Sequence, residues 1–405
     1  MLNLEKPDVG LPSPRQFLCA LDRHSLANGL TAWLMACTGP FVVMLGVGID
    51  GGMSAADINS WVLAGYGFGG VLSIILSLVY RMPMGMGWTI PGTIILGGAL
   101  SHLPFEECVG AFYIVGAIVT VLGLSGWVQR VARYIPLSIV MAMVAGVFLP
   151  FVLKIVLAFA DSRIIATASV LAFIAAAAVP AIARYAPPVL FAIVVGGTAA
   201  LVTGQVSLGT MPSVSIVTPV FYTPVFTWQA LVELVIPLTI TVVGIHNLQG
   251  FAICDANGYR PPRNTLTTVC GVCTFPFAAI GGVPTVITGP ANGILNVSGD
   301  FERRYAGGVV FGVLMLLFGL FAPFSTALAL ALPASFIGLI GGLALFEVLR
   351  SSFLTAFSGK LSIGAMTTFI VTVADQPIAN IGAPFWAIVF GLAVAYLFER
   401  PTMES

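Results

Sequence analysis

Two short segments of the chain combine a proline with small polar residues. Residues 88–93 read WTIPGT and residues 288–292 read TGPAN. A proline in the first turn of a helix loses no hydrogen bond, because the N–H that it lacks would have had no partner there. The remaining N–H groups of that turn carry a partial positive charge. Two such helix starts that meet would therefore offer a site for an anion.

These two segments supply most of the predicted substrate-binding residues. The predicted contacts are Thr89, Gly92, Thr93, Thr288, Gly289, Ala291 and Asn292. A purely structural role, in which the threonines cap the helices, is compatible with this prediction. Neither segment contains a carboxylate. The absence of a fixed negative charge favours a substrate that is itself anionic, such as a small carboxylate.

A third candidate segment, residues 246–249, reads HNLQ and lies inside the apolar stretch of residues 229–252. An ionisable residue inside such a stretch is a functional candidate, and histidine exchanges a proton near neutral pH. We predict that His246 carries a proton and that Asn247 and Gln249 contact the substrate. The alternative is a neutral histidine bonded to a helix carbonyl. Nearby aromatic residues, including Tyr66, could form an apolar slot for a ring.

The composition defines the environment in which these residues must work. The 405 residues are 58% hydrophobic and 8% charged, with a mean hydropathy of +1.04, whereas soluble domains carry about 25% charged residues. A lipid bilayer accepts this much apolar surface. A net charge of zero argues against nucleic-acid binding. Cys270 and Cys273 form a C-x-x-C pattern without a second ligand pair, so we predict neither a metal nor a cofactor.

The apolar segments predict an all-α membrane protein with fourteen spans, at about 20 residues per span. The predicted spans are residues 27–48, 58–79, 88–101, 109–129, 136–159, 163–183, 187–204, 229–252, 264–281, 284–296, 305–329, 333–352, 362–378 and 382–398. The third and tenth are too short to cross as plain helices. With the N-terminus inside, 14 of the 16 Lys and Arg residues fall in inner segments, the exceptions being Lys154 and Arg163. The positive-inside rule therefore supports two cytoplasmic termini.

Prolines at matching positions predict an internal repeat. The pairs are Pro40 and Pro237, Pro91 and Pro290, and Pro136 and Pro333, which lie 197, 199 and 197 residues apart. Seven spans per repeat turn the second repeat upside down, as in secondary transporters with a substrate at the midplane between discontinuous helices. The predicted organisation is a cytoplasmic tail (1–26), a first repeat (27–204), an outer linker (205–228), a second, inverted repeat (229–398) and a second cytoplasmic tail (399–405).

Several stretches, taken in order, resemble one protein family. They are YRMPMGMGWTIPGTIIL, GLSGWVQRVARYIPLSIVMAMVAGVFL, NLQGFAICDANGYRPP and IGAPFWAIVFGLAVAYL. They resemble the bacterial benzoate–proton symporters, which are similar in architecture to the uracil permease and anion-exchanger superfamily. The resemblance implies a core domain of spans 1–4 and 8–11, a gate domain of spans 5–7 and 12–14, and a short extended stretch at the start of spans three and ten.

The chain departs from the superfamily at its site. Nucleobase permeases carry a glutamate in spans eight and ten, whereas this chain has Gly244, Ile245 and His246 in span eight and no acid in span ten. In the benzoate-type family a Gln and a Pro are expected in place of His246 and Gln249. These departures argue against a nucleobase and leave a related aromatic carboxylate possible beside benzoate.

The resulting expectation is proton-coupled uptake of benzoate or a related aromatic carboxylate by alternating access. The expected setting is the bacterial inner membrane, where the protein could form a homodimer. Alternatives are a nucleobase or xanthine permease, or an uncoupled anion channel on the same fold. A membrane enzyme is not expected, because no set of a nucleophile and a base is evident.

Overall fold

The computed structural model describes residues 4–399 except 8, 129, 131–135, 180–186, 207–213, 297 and 380. Outside the described residues lie Arg133, Arg184 and Arg400, the end of the sixth predicted span, part of the predicted linker, and most of the second tail. The helices are α1 (Pro14–Ala20), α2 (Arg23–Asp50), α3 (Ala55–Tyr80), α4 (Ile90–Ala99), α5 (Phe105–Ser125), α6 (Leu137–Asp161), α7 (Arg163–Ala178), α8 (Pro188–Val202), α9 (Trp228–Ala256), α10 (Arg263–Ala279), α11 (Gly289–Leu295), α12 (Tyr305–Leu320), α13 (Ala322–Leu330), α14 (Ala334–Phe357), α15 (Ser362–Ala374) and α16 (Ala383–Phe398). The two strands are β1 (Met86–Trp88) and β2 (Thr285–Ile287).

The helices identify a multi-pass membrane protein. Within the described residues, seven helical segments are long and apolar enough to cross a membrane: α2, α3, α5, α6, α9, α14 and the segment Phe301–Leu320 that contains α12. Five shorter apolar helices accompany them, namely α4, α7, α8, α15 and α16. The predicted span over residues 305–329 is not one continuous helix. The segment divides at Phe321 into α12 and α13, and a proline in the first turn of α13 starts the second helix.

Not every proline of the predicted repeat breaks a helix. Pro40 lies inside α2, which is continuous from Arg23 to Asp50. Pro237 lies inside α9 between two wider π-helical turns, Leu231–Val235 and Thr241–Asn247. Within a membrane bundle, local π adjustments and neighbouring helices satisfy the backbone groups that a proline leaves free. Neither proline of this pair therefore interrupts its helix.

The third and tenth predicted spans each consist of a short strand followed by a short helix. The strands β1 and β2 pair antiparallel, with Trp88 opposite Thr285 and Met86 opposite Ile287. One further bond on each side extends the ladder: the N–H of Thr89 donates to the Pro284 carbonyl at 3.2 Å, and that of Thr288 donates to the Gly85 carbonyl at 2.9 Å. The pairing satisfies backbone groups that are buried far from water.

The helices pack in two groups. The first group consists of α2–α5 and α9–α12, in which α5 packs on α10 and α12 packs on α2 and α3. The second group consists of α6–α8 and α14–α16, in which α14 packs on α6, and α15 packs on α6 and α16. Contacts of α14 with α2, and of α16 with α9, join the groups. The strands and the helices α4 and α11 that follow them belong to the first group.

Two glycines let α3 and α12 approach closely. A Cβ at Gly312 would lie 2.6 Å from the carbonyl oxygen of Gly70, closer than real Cβ contacts allow. Gly46 of α2 has no atom within 4 Å of the corresponding position. Small residues at such contacts are a general device of membrane helix packing.

We predict that Gly312→Ala destabilises the protein by about 1–3 kcal/mol, because the added methyl group forces the two backbones apart. The matched variant Gly46→Ala should leave stability unchanged or slightly higher, since alanine favours a helix more than glycine. Thermal unfolding in detergent measures both variants. An equal melting temperature for Gly312→Ala and the wild type would contradict the assigned contact.

Candidate functional site

In two places a short strand is followed by a short helix, β1 by α4 and β2 by α11, and we call these places the first and the second break. A cavity of about 180 Å³ borders both breaks. The helices α2, α12 and α14 supply most of its wall, and His246 of α9 and residues near the starts of α4, α8 and α11 complete it. Its apolar lining includes Met35, Trp88, Phe311, Met315, Leu345 and Val348. Its polar lining includes Thr38, His246 and Thr288. The cavity lies between the two helix groups, so a relative movement of the groups would change access to it.

His246 is the ionisable residue of this cavity. It lies in the second π-helical turn of α9 and is only 6% exposed. Neither of its ring nitrogens has a hydrogen-bond partner among the described residues. A buried polar group without a partner costs about 1–3 kcal/mol. The bond to a helix carbonyl that would explain a structural histidine is thus not observed in the described structure, and both buried ring nitrogens are left without a partner there.

Trp88, at the end of β1, brings an aromatic face to the cavity. Its indole nitrogen also has no partner among the described residues. Behind it lies Tyr66, with a ring-centroid distance of 4.6 Å. The Tyr66 hydroxyl donates to the Ala36 carbonyl at 2.5 Å and is fully buried. Tyr66 therefore fixes the tryptophan and the nearby part of α2, and it is not part of the cavity lining.

The polar residues of the first break, where β1 meets α4, cap the N-terminus of α4. The Thr89 hydroxyl accepts from the N–H of Gly92 at 3.1 Å and donates to the Thr241 hydroxyl at 3.1 Å. The Thr93 hydroxyl donates to the Thr89 carbonyl at 3.0 Å. These three predicted residues stabilise the start of α4 and join it to α9, and none of them lines the cavity.

The second break contains a more extended polar network. The Asn292 side chain accepts from the N–H of Gly85 at 2.9 Å and donates to the carbonyls of Gly85 and Thr288, at 3.1 and 2.8 Å. The Thr288 hydroxyl donates to the Gly85 carbonyl at 2.9 Å. Asn292 is fully buried, and its hydrogen bonds hold the chain that enters β1 against α11. The N–H groups of Gly289 and Ala291 have no acceptor among the described residues, and Ala291 lines the cavity.

Asn247 and Gln249 lie outside the cavity wall. The side-chain Oδ1 of Asn247 accepts from the N–H of Ile287 at 3.3 Å, which supports β2 from α9. Gln249 is exposed and lies beside Gly289. Cys270 is buried with its thiol directed at the Asn247 side chain, at 3.8 Å.

Three of the predicted residues line the cavity, namely His246, Thr288 and Ala291, and the prediction did not include the wall residues of α2, α12 and α14. A repeated sequence motif could have predicted that part of α2 lines the cavity. Residues 38–40 read TGP, as do residues 288–290, and the two motifs meet at the same cavity. The apolar residues of α12 and α14 had no distinguishing pattern. Glu347 of α14 is exposed and pairs with Arg350 at 2.5 Å, outside the cavity.

Solved structures establish the fold by similarity. The transmembrane domain of a cyanobacterial bicarbonate transporter, BicA, superimposes with a TM-score of 0.64 at 15% identity, covering 95% of this chain and 100% of that one. The murine Solute Carrier 26 family member A9 anion transporter, in its inward-facing state, gives a TM-score of 0.62 at 12% identity, covering 97% of this chain and 73% of that one. The chain has the fold of these membrane transporters.

Protein sequences define the family. The inner membrane protein YdcO of Escherichia coli is 28% identical over 92% of this chain and 95% of its own length. The benzoate membrane transport protein of Acinetobacter baylyi is 24% identical over 92% of this chain and 94% of its own length. The profile of the BenE family, described as benzoate membrane transport protein, matches residues 20–397. The chain therefore belongs to the BenE family of benzoate membrane transport proteins and is a membrane transporter, not an enzyme.

Proposed function

We propose that the protein takes up benzoate or a related aromatic carboxylate together with protons, by alternating access across a bacterial inner membrane. The observation that carries the proposal is the cavity between the helix groups, which combines apolar walls with a buried histidine whose ring nitrogens are free. The Acinetobacter relative supports the substrate class by its name, and the Escherichia coli relative supports the membrane.

The dimensions of the cavity suit a single aromatic ring. An apolar cavity of about 150 Å³ is known to bind benzene, and this one measures about 180 Å³. Trp88, Phe311 and Met315 would contact the ring, since aromatic and thioether side chains pack well on aromatic faces. A uracil or xanthine ring carries several hydrogen-bonding groups, for which this wall has few hydrogen-bond partners.

The carboxylate of the substrate requires a partner, because a bare charge in an apolar cavity is strongly disfavoured. His246 can supply an N–H donor and, when protonated, a compensating positive charge. The N–H of Ala291, which has no acceptor among the described residues, would add a neutral donor. Substrate and proton crossing together carry less net charge through the low-dielectric region than the anion alone. This lower net charge is the proposed reason why substrate and proton are transported together.

We propose fourteen spans in two inverted repeats of seven, with both termini cytoplasmic. Two observations support this topology: the strands of the two halves pair antiparallel, and each is followed by a short helix. The first helix group would be the core domain, which holds the substrate, and the second the gate domain. Movement of the core against the gate would open the cavity to one side of the membrane at a time.

The substrate class is tested by a ligand panel on the purified protein. We expect benzoate to raise the melting temperature, and uracil, xanthine and bicarbonate to leave it unchanged. In proteoliposomes, benzoate uptake should be saturable and should accelerate when the outside is more acidic than the inside. Stabilisation by a nucleobase instead of benzoate would contradict the substrate class, and a non-saturable flux indifferent to the pH gradient would indicate the uncoupled channel.

His246→Ala should keep the fold and weaken benzoate binding by about 2 kcal/mol, roughly thirtyfold, the range of a hydrogen bond to a charged group. Proton-driven uptake should fall with it. Calorimetry measures the affinity, and His24→Ala, a histidine outside the cavity, is the control. Wild-type affinity and wild-type pH dependence in His246→Ala would show that the histidine contacts neither substrate nor proton.

Asn292→Leu should abolish benzoate binding, although the side chain does not line the cavity. The substitution leaves the N–H and the carbonyl of Gly85 without their bonds to the amide, so β1 and Trp88 lose their position. Asn257→Leu, in which an asparagine beyond the end of α9 is replaced, should bind normally. An unchanged dissociation constant for Asn292→Leu in calorimetry would contradict this assignment.

A further inference from the structure

A second cavity, of about 320 Å³, lies at the opposite end of α4, again between the two helix groups. Residues of the first group that line it include Val47 and Ile95, and residues of the second group include Gly146, Pro150 and Ala383. In the proposed topology this cavity faces the outside. It is larger than the substrate cavity, and unlike that cavity it contains a carboxylate–imidazole pair.

The pair consists of Glu233 and His102. Glu233 lies in the first π-helical turn of α9, and its side chain is 4% exposed, whereas that of His102, in the connection between α4 and α5, is 29% exposed. The Glu233 Oε2 and His102 Nε2 atoms are 3.1 Å apart. The other ring nitrogen of His102 lies 3.0 Å from the Ser101 hydroxyl. One member of the pair is therefore buried, and the other connects it to the cavity.

A carboxylate as buried as Glu233 needs compensation for its charge. An imidazole at hydrogen-bond distance can provide it, as an N–H donor and, when protonated, as a positive charge. Histidine is the side chain that exchanges a proton most readily near neutral pH. The geometry thus describes a proton-binding site that is reached from the cavity.

The second helix group also touches the Glu233 carboxylate. A Cβ at Gly382 would lie 2.5 Å from Glu233 Oε1, so the chain at the start of α16 lies directly against the carboxylate. The first N–H groups of a helix carry a partial positive charge, which attracts a carboxylate and not a neutral carboxyl. The charge of the Glu233–His102 pair therefore affects the strength of a contact between the two helix groups.

Other titratable groups surround the pair on several elements. Asp50 of α2 is paired with Lys154 of α6 at 2.7 Å, and Asp375, after α15, is exposed. On α5, Glu107 accepts from the Thr227 hydroxyl at 2.6 Å. Two further groups of α5 are the exposed Glu106 and the buried thiol of Cys108, which lies within electrostatic reach of Glu233. Among these acids, Glu233 alone is both buried and in contact with the opposing helix group.

We propose that Glu233 and His102 bind a transported proton at the outer end of the interface between core and gate, and that protonation of the pair releases the contact with α16. This inference rests on the proposed proton-coupled uptake. Glu233 and His246 are 13 residues apart on α9, about 20 Å at 1.5 Å per residue. The pair is therefore a second proton site, separate from the substrate cavity.

Proteoliposomes that contain the full chain test the pair with two assays, benzoate accumulation driven by a pH gradient and benzoate exchange at equal pH. Glu233→Gln imitates a permanently protonated carboxyl. We expect it to lose at least about tenfold in gradient-driven accumulation, the effect of about 1.4 kcal/mol of lost coupling, and to keep benzoate affinity and exchange. Asp375→Asn, which removes an exposed carboxylate from the same cavity, should retain both activities.

Gradient-driven accumulation by Glu233→Gln at the wild-type level would overturn the assignment of the pair and leave the proposed function intact. If accumulation by the wild-type protein does not depend on the pH gradient, both the assignment of the pair and the proposed function are overturned. If Glu233→Gln does not fold, His102→Gln decides, because it removes the imidazole that compensates the buried carboxylate. We then expect at least about tenfold less gradient-driven accumulation at unchanged benzoate affinity, and accumulation at the wild-type level would refute the pair.

Discussion

Inside a bilayer, a backbone N–H or carbonyl without a hydrogen-bond partner costs several kcal/mol, so a helix that stops halfway must find other partners for its chain. This protein meets the constraint with two interrupted segments that pair with each other. The ladder between β1 and β2 uses the backbone groups of both, and the Asn292 amide binds the chain that enters β1. The cavity, the position of Trp88 and the short helices beyond all depend on this pairing.

The same pairing separates two kinds of environment along the interface of the helix groups. On one side of the breaks lies an apolar cavity in which His246 is the ionisable group. On the other side lies a larger cavity with acidic residues and the pair of Glu233 and His102. An aromatic ring suits the first environment and a proton suits the second. A transporter that couples the two would have both ligands at the surface along which its domains move.

Much of the fold could be predicted from the sequence, because a bilayer constrains the length of the apolar segments that cross it and the positions of the charged residues between them. The two short segments could be recognised by length and by proline, and the strand in each fits the resemblance stated above. The predicted span over residues 27–48 agrees with α2, which continues through Pro40.

The site was harder to predict than the fold. Donors such as Thr89, Thr93 and Asn292 look alike in sequence whether they face a ligand or bond to the protein, and here each bonds to the protein. The cavity wall formed by Phe311, Met315 and Leu345 depends on the packing of distant helices, and apolar residues are common throughout the chain. The proximity of His102 to Glu233, 131 residues later, likewise follows only from the fold.

The most direct measurement is an anomalous difference map from crystals of the protein soaked with 4-iodobenzoate at a concentration that saturates binding. The proposed site predicts an iodine peak inside the 180 Å³ cavity, beside Trp88 and Met315, with the carboxylate directed at His246. An iodine peak in the cavity beside Glu233, with the smaller cavity empty, would contradict the central claim that the paired breaks hold the substrate.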